Sequence, residues 1–352
     1  TVSSTKAPKV CAIHDHHLVV GGATTAKNTI YYSATDDIDS FSGTGSGSIV
    51  LEDQVVGLKS FRTDLIVFCK NSIHKLININ DSSNIAVVPV TKNVGCLSEH
   101  SIQEIGGDLV FLSPDGIRSV AGTARIGDVE LGSVSRQIQA IIKDLSNSIT
   151  TFTITSGVLR SKSQYRLFYS ATTSTTAVSK GIIGTLTSNG FEWSETKGIQ
   201  AHGFTSQLNY LGVEKKFHGD NDGYIYNHDT GSSFIEDGSA FNVDAKYITP
   251  NFDFGDIGTR KTMYYIKISI SPEGTILPTL RVRYDYEDIN IPQPDDYTLT
   301  GIPIPSIFGN SVSTFGSAVF GTSKDPMFRK AIEGSGHVTN FRISTSDTNP
   351  PY

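Results

Sequence analysis

The densest grouping of residues able to do chemistry is His14-Asp-His-His17. Alternate residues of a strand share a face, so His14 and His16 could hold a divalent metal between their imidazoles. A zinc site needs further ligands, and none stands in register nearby, so the cluster reads as solvated or hydrogen-bonded histidines. Asp220-Asn-Asp-Gly223 looks like the start of a calcium loop. Such a loop requires Glu at its twelfth position, and the later carboxylates Asp229 and Asp237 are out of register, so the stretch reads as a tight hairpin turn. Arg260-Lys261 sits amid Asp253 and Asp256, which leaves no sustained basic field and describes a loop entering a strand.

Nucleophile elbows, phosphate-binding loops and dinucleotide fingerprints are missing from the sequence. Ser113-Pro-Asp-Gly116 departs from the Asp-box pattern, because Gly follows Asp at once and Ser119 stands where an aromatic belongs. Carboxylate pairs for glycoside hydrolysis can be assembled from distant segments, but no local motif points to one. Cys11, Cys69 and Cys96 are odd in number and widely spaced, and Cys69 lies in an apolar run, so they read as buried free thiols. The expectation is a protein without catalytic, cofactor-binding or metal-ligating residues, and not an enzyme.

The elements that would position any such residue are more informative. A short apolar strand, a tight turn of Gly, Asn, Asp or Pro, and a returning strand recur from Leu18, Leu65, Leu109, Tyr165 and Lys216. Consecutive starts lie 47, 44, 56 and 51 residues apart. Strand-only content at that spacing marks radially repeated four-stranded blades, each of which can bury its faces only against its neighbours. Charged residues make up 18% of the 352, and Gly, Ser and Thr are abundant, as turn-dense antiparallel sheet requires.

One stretch breaks the strand rhythm. Val134, Ile138, Ile141, Ile142 and Leu145 recur at helical spacing, so a short amphipathic helix is predicted over 133–145, with Ser133 or Ser135 as its cap. After residue 240 the strands lengthen and their connections become Pro-rich. Leu280, Val282, Tyr284 and Tyr286 alternate with Arg281, Arg283 and Asp285, which describes a sheet with one wet face. The sequence therefore predicts an all-β chain: a β-propeller of about six blades over 1–240, then a β-sandwich-like module over 241–352, incomplete at its C-terminal end.

The formal net charge of −6, from 29 Lys and Arg against 35 Asp and Glu, argues against a protein that grips nucleic acid by counterion release. No window approaches the ~18 apolar residues of a membrane helix, and no basic region precedes a short apolar one as in a signal peptide.

Several phrases, in order, resemble one family. His17-Leu-Val-Val-Gly-Gly with Ile30-Tyr-Tyr-Ser, Val56-Gly-Leu-Lys-Ser-Phe-Arg-Thr-Asp-Leu-Ile-Val-Phe, and Ile105-Gly-Gly-Asp-Leu-Val-Phe-Leu-Ser-Pro-Asp-Gly-Ile-Arg are similar to propeller segments of the tail hub, nozzle or "stabilisation" proteins of short-tailed bacteriophages. Phe217-His-Gly-Asp-Asn-Asp-Gly-Tyr-Ile-Tyr, Thr249-Pro-Asn-Phe-Asp-Phe-Gly and Ser344-Thr-Ser-Asp-Thr-Asn-Pro-Pro extend the resemblance to the end of the chain. In such proteins more sequence precedes the first repeat and further strands follow the last phrase, so the chain is expected to be a piece of a longer product.

The resemblance implies a structural virion protein of the tail, assembled in the host cytoplasm. It would form a hexameric ring below portal and adaptor, extend the DNA ejection channel without sequence-specific binding, and anchor tail fibres or a needle. Candidate contacts with ring neighbours are Ile138 and Ile142 on the helix, Arg281, Arg283 and Tyr284 on the C-terminal sheet, and Ile302 in Ile302-Pro-Ile-Pro. The rival reading is a carbohydrate-active propeller, either glycosidase or depolymerase, or a receptor-binding one; the enzyme requires two or three carboxylates converging on the propeller axis.

Overall fold

The computed structural model describes residues 7–81, 83–120, 134–171, 179–220, 223–230, 235–236, 239–240, 242–270, 276–300 and 327–347. Ser133, Asp222, Asp237 and Ile302, all singled out in the sequence, lie outside them. The chain forms two units, Thr1–Asp229 and Thr230–Tyr352, dividing ahead of the boundary expected at residue 240.

The first unit is a β-propeller built of antiparallel meanders in strict chain order. The first blade is β1 (Val10–His14), β2 (His17–Ala23), β3 (Ala26–Tyr32) and β4 (Gly47–Val50). The second is β5 (Val55–Phe61), β6 (Asp64–Cys69), β7 (Ile73–Ile77) and β8 (Ala86–Thr91). Three strands make up the third, β9 (Gln103–Ile105), β10 (Asp108–Ser113) and β11 (Gly116–Ser119). The fourth has β12 (Phe152–Leu159), β13 (Gln164–Ala171), β14 (Lys180–Thr187) and β15 (Gly190–Lys197); the fifth has β16 (Gly203–Leu208), β17 (Glu214–Gly219) and β18 (Ile225–Asn227). The described residues thus make five blades, where the rhythm of the sequence suggested about six.

The five hairpins visible in the sequence are the second and third strands of the five blades. In the second and third blades β6 and β10 are buried on both faces, and their period-2 alternation deals side chains to two different cores. On β6, Leu65 and Val67 join Val19, Ile30 and Leu58 against the first blade, while Ile66 and Phe68 pack on Leu109 and Phe111 of the third. The Phe68 and Phe111 rings meet with centroids 5.2 Å apart. On β10 the partition repeats, with Val110 and Leu112 turned to Ile154, Tyr165 and Leu167 of the fourth blade. Two-residue turns match the strand twist when both residues take positive φ, and Gly106 and Gly107 between β9 and β10 do so at 61° and 76°.

The predicted helix is present as a 3-10 turn, Arg136–Ile138, continuing into α1 (Gln139–Asn147). Its Ile142 and Leu145 are fully buried among side chains of the third and fourth blades, so the helix fills an inter-blade core. The expected Ser135 cap does not form. The Ser135 hydroxyl accepts the Ile117 N–H at 2.8 Å, and Ile138 takes the N-cap position with no side-chain cap. No helix among the described residues is long and apolar enough to cross a membrane.

In the second unit a short pair, β19 (Ile235–Glu236) and β20 (Ser239–Ala240), precedes β21 (Val243–Ile248), β22 (Lys261–Thr262), β23 (Tyr265–Ser269), β24 (Thr279–Tyr284) and β25 (Tyr297–Thr298). Then follow β26 (Met327–Ala331), β27 (Ser335–Gly336) and β28 (Thr339–Asp347). Strands β21, β28, β24 and β25 form one sheet in that order, and β23 pairs with β26. Ile268 shares a core with Leu280, Val282 and Tyr284, with Phe328 packed against it, which gives the β-sandwich-like packing. The alternation read along β24 holds through Tyr284 and stops there. Asp285, Tyr286 and Glu287 take φ of 50°, 62° and 61°, a left-handed turn that brings Tyr286 out to solvent instead of into the core.

Candidate functional site

The first strand of every blade is its innermost one, and the five converge on a common cleft. Cys11 of β1, Lys59 of β5, Gln103 of β9, Ser156 of β12 and Phe204 of β16 all line a cavity of about 260 Å3. An adjoining hollow of about 250 Å3 shares Lys59, Gln103, Ser156 and Phe204 and is reached past Glu104 and Arg160. Neighbouring inner strands lie close because glycine allows it. A Cβ on Gly157 of β12 would stand 2.4 Å from the Phe204 ring.

Hydrogen bonds fix the cleft wall. The Gln103 amide donates to the Ser156 carbonyl and hydroxyl oxygens, both at 3.1 Å, and the Ser156 hydroxyl donates to the His100 carbonyl. Glu99 and Glu104 are the carboxylates in the lining, and both come from the third blade. Burial raises the Glu99 pKa, an effect His100 only partly offsets. The cleft can therefore offer amide, hydroxyl and ammonium donors, together with one carboxyl biased toward its neutral form.

A second polar grouping joins the fourth and fifth blades. Arg166, on β13, donates to both oxygens of Asp229, from Nη1 at 3.0 Å and Nη2 at 2.8 Å. Lys162 and Lys216 approach the same Asp229 Oδ2, at 3.1 and 3.5 Å. Burial alone would raise the Asp229 pKa; the Arg166 guanidinium and Lys162 outweigh it and hold the carboxyl well below the usual range. Beside this grouping His218 Nδ1 and His228 Nε2 are 2.5 Å apart, with the His228 ring packed against both Phe168 and Phe204. Burial lowers both imidazoles, and His218, Arg166 and Lys216 push His228 further, to about 4.

The structure separates the residues that the sequence placed together. His14 Nδ1 bonds Ser60, His16 Nδ1 bonds Asp36, and His17 is held between the Ser33 carbonyl and Asn80. Each imidazole thus has its own partner. Among the described residues no group of three His, Cys, Asp or Glu could hold a metal ion. Asp220 accepts the Tyr224 N–H at 2.9 Å, as in a turn. Asp115 of Ser113-Pro-Asp-Gly116 is engaged by Arg118 and Ser113. Cys69 and Cys96 are buried free thiols, whereas Cys11, expected to be buried, is exposed in the cleft.

Two of the interface candidates need correction. Ile142 is 0% exposed and Tyr284 is 0% exposed, with the Tyr284 hydroxyl donating to the Glu333 carbonyl, so both are used inside the chain. Ile138 is half-buried against the same core as Ile142. Arg281 and Arg283 both hold Asp296, and Arg283 also donates to the Pro294 carbonyl. Sequence reasoning missed Lys59, Glu99, Gln103 and Ser156, since each sits on or beside the first strand of a blade, outside the apolar hairpins that carried the repeat.

No protein-family model and no curated protein matches the chain. Among solved structures it is similar to the WD40 domain of SCAP from fission yeast, at 9% identity over 69% of this chain and 67% of that one, with a TM-score of 0.28. It is also similar to exo-β-1,3-galactanase from Phanerochaete chrysosporium. For a substituted form with β-1,3-galactotriose the identity is 10% over 97% of this chain and 94% of that one; with galactose bound, it is 10% over 96% and 93%; the TM-score is 0.30 in both. These scores are low, and the sheet order within the chain is what defines its fold.

Proposed function

We propose that this protein is a structural component of a phage virion, a ring-forming tail hub or nozzle subunit that extends the DNA exit channel and anchors fibres or a needle. The ordered phrases of the sequence, which resemble that family, support the reading. The observation that supports the assembly role is the uncovered apolar surface of the fifth blade. Leu208, Tyr210, Leu211, Val213, Tyr224 and Ile225 are all exposed there, Tyr210 at 94% and Ile225 at 77%. Leu208, Tyr210, Leu211 and Val213 sit around the β16–β17 turn and Tyr224 and Ile225 at the opposite end of β17, and exposed apolar clusters of this kind mark protein interfaces. In this reading a second copy of the chain covers them, with portal or adaptor proteins and fibres as further partners.

Negative-stain images of the purified chain test the proposal. Closed six-fold rings are expected, and Leu211→Asp with Ile225→Asp should leave folded monomers. A wild-type chain that stays monomeric at high concentration overturns the ring.

Glu99 and Glu104 in the axial cleft favour a second reading, a carbohydrate-active propeller. Polysaccharide cleavage that Glu99→Gln and Glu104→Gln abolish would establish it in place of the hub.

A further inference from the structure

Three cations surround one carboxylate at the seam between the fourth and fifth blades. Among the described residues Asp229 is the only carboxylate within 4 Å of Arg166, Lys162 and Lys216, so three cations there share one negative charge. The nearby Glu214 does not relieve them. Its oxygens accept the N–H groups of Arg160 and Ser161 and the hydroxyls of Ser161 and Ser206.

Lys216 is the least satisfied of the three. Its side chain is only 12% exposed, yet its ammonium, with three donors to place, makes a single ion-pair contact at 3.5 Å. Buried charges are normally paired and hydrogen-bonded, because removing them from water is costly. Lys162 also has donors to spare, and at 45% exposure it opens the seam to solvent. Arg166, 7% exposed and locked by Asp229 and Gln164, is a fixed positive charge beside the same carboxylate.

We propose that this seam binds a phosphate-class oxyanion, held by Lys216 and Lys162 beside Arg166. A tetrahedral anion offers several acceptors to donors that diverge from one point, and it supplies the missing negative charge. By touching Lys162 on the fourth blade and Lys216 on the fifth, it would also cross-link the two. The same chemistry can arrive as free phosphate or as a phosphodiester of nucleic acid.

Calorimetric titration of the full chain with inorganic phosphate, against sodium chloride at matched ionic strength, tests the site. Saturable binding is expected. Lys216→Met keeps the aliphatic stem and removes one charge-assisted bond, so affinity should fall about tenfold. Lys162→Met, at the solvent side, should weaken binding without disturbing the core, and Lys215→Met on the opposite face of β17 should leave it unchanged. Intact folding of each variant is read from the far-ultraviolet circular dichroism. A short single-stranded oligonucleotide that phosphate displaces identifies a phosphodiester as the source; phosphate binding without oligonucleotide binding identifies the free ion. Heats no larger than those of chloride, or wild-type affinity in both Lys162→Met and Lys216→Met, overturn the proposal.

Discussion

The His218–His228 pair should make the propeller sensitive to mild acid. His228 is buried, its ring lies against Phe168 and Phe204, and its pKa falls from 6.5 to about 4. A folded-state pKa below the unfolded one means that the unfolded chain binds more protons between these values, so stability rises with pH through that window. The contribution is fully present above pH 6.5 and is lost as pH falls toward about 4. At about 1.4 kcal/mol for each tenfold change in proton affinity, the loss is roughly 3 kcal/mol. His218 adds in the same direction, because burial lowers it too. Trp193 is the one tryptophan and lies on β15 of the fourth blade, so its fluorescence reports the unit in question. Denaturant unfolding followed at Trp193 from pH 7.5 to 4.5 should give a falling stability in the wild type. His228→Phe keeps an aromatic ring in the site and should flatten the curve. Parallel curves for the two proteins would falsify the assignment of the acid sensitivity to this pair.

Other outcomes follow from the same packing. Gly157→Ala places a methyl 2.4 Å from the Phe204 ring and should destabilise by about 1–3 kcal/mol in thermal or chemical unfolding, with Phe204→Leu recovering part of the loss. Asp229→Asn removes the carboxylate from the nearly buried Arg166 and should cost roughly 3–5 kcal/mol, read by urea titration at neutral pH. A thiol reagent at pH 8 should modify Cys11 alone in the native protein, because Cys69 and Cys96 are buried and burial pushes both to about 12; reaction of all three before unfolding contradicts the fold.

What could be read from the sequence follows from where apolar residues are needed. Strands β6 and β10 are covered on both sides, so Leu65 to Cys69 and Leu109 to Leu112 form continuous apolar runs that stand out without any alignment. Inner strands such as β9, Gln103 to Ile105, border the cleft and are short and mixed, which hides them. The helix was visible because Ile138, Ile142 and Leu145 repeat at its period, but its role was not. Burial of Ile142 in an inter-blade core depends on partners such as Tyr165 that are remote in the chain. The seam was invisible for the same reason. Arg166 meets Asp229 across 63 residues, and nothing local marks either one. His218 and His228 are only 10 residues apart, yet their contact depends on the register of β17 with β18.

The narrow axis of the propeller has a consequence for transport. The two adjoining hollows at the inner strands are small, about 260 and 250 Å3. Hollows of that volume cannot hold a nucleic-acid duplex. If rings of this chain conduct DNA, the bore is the space enclosed between subunits, and its lining comes from blade rims and loops. Selection for easy passage would then act on those outward surfaces, leaving the five inner strands free to seal each subunit against leakage.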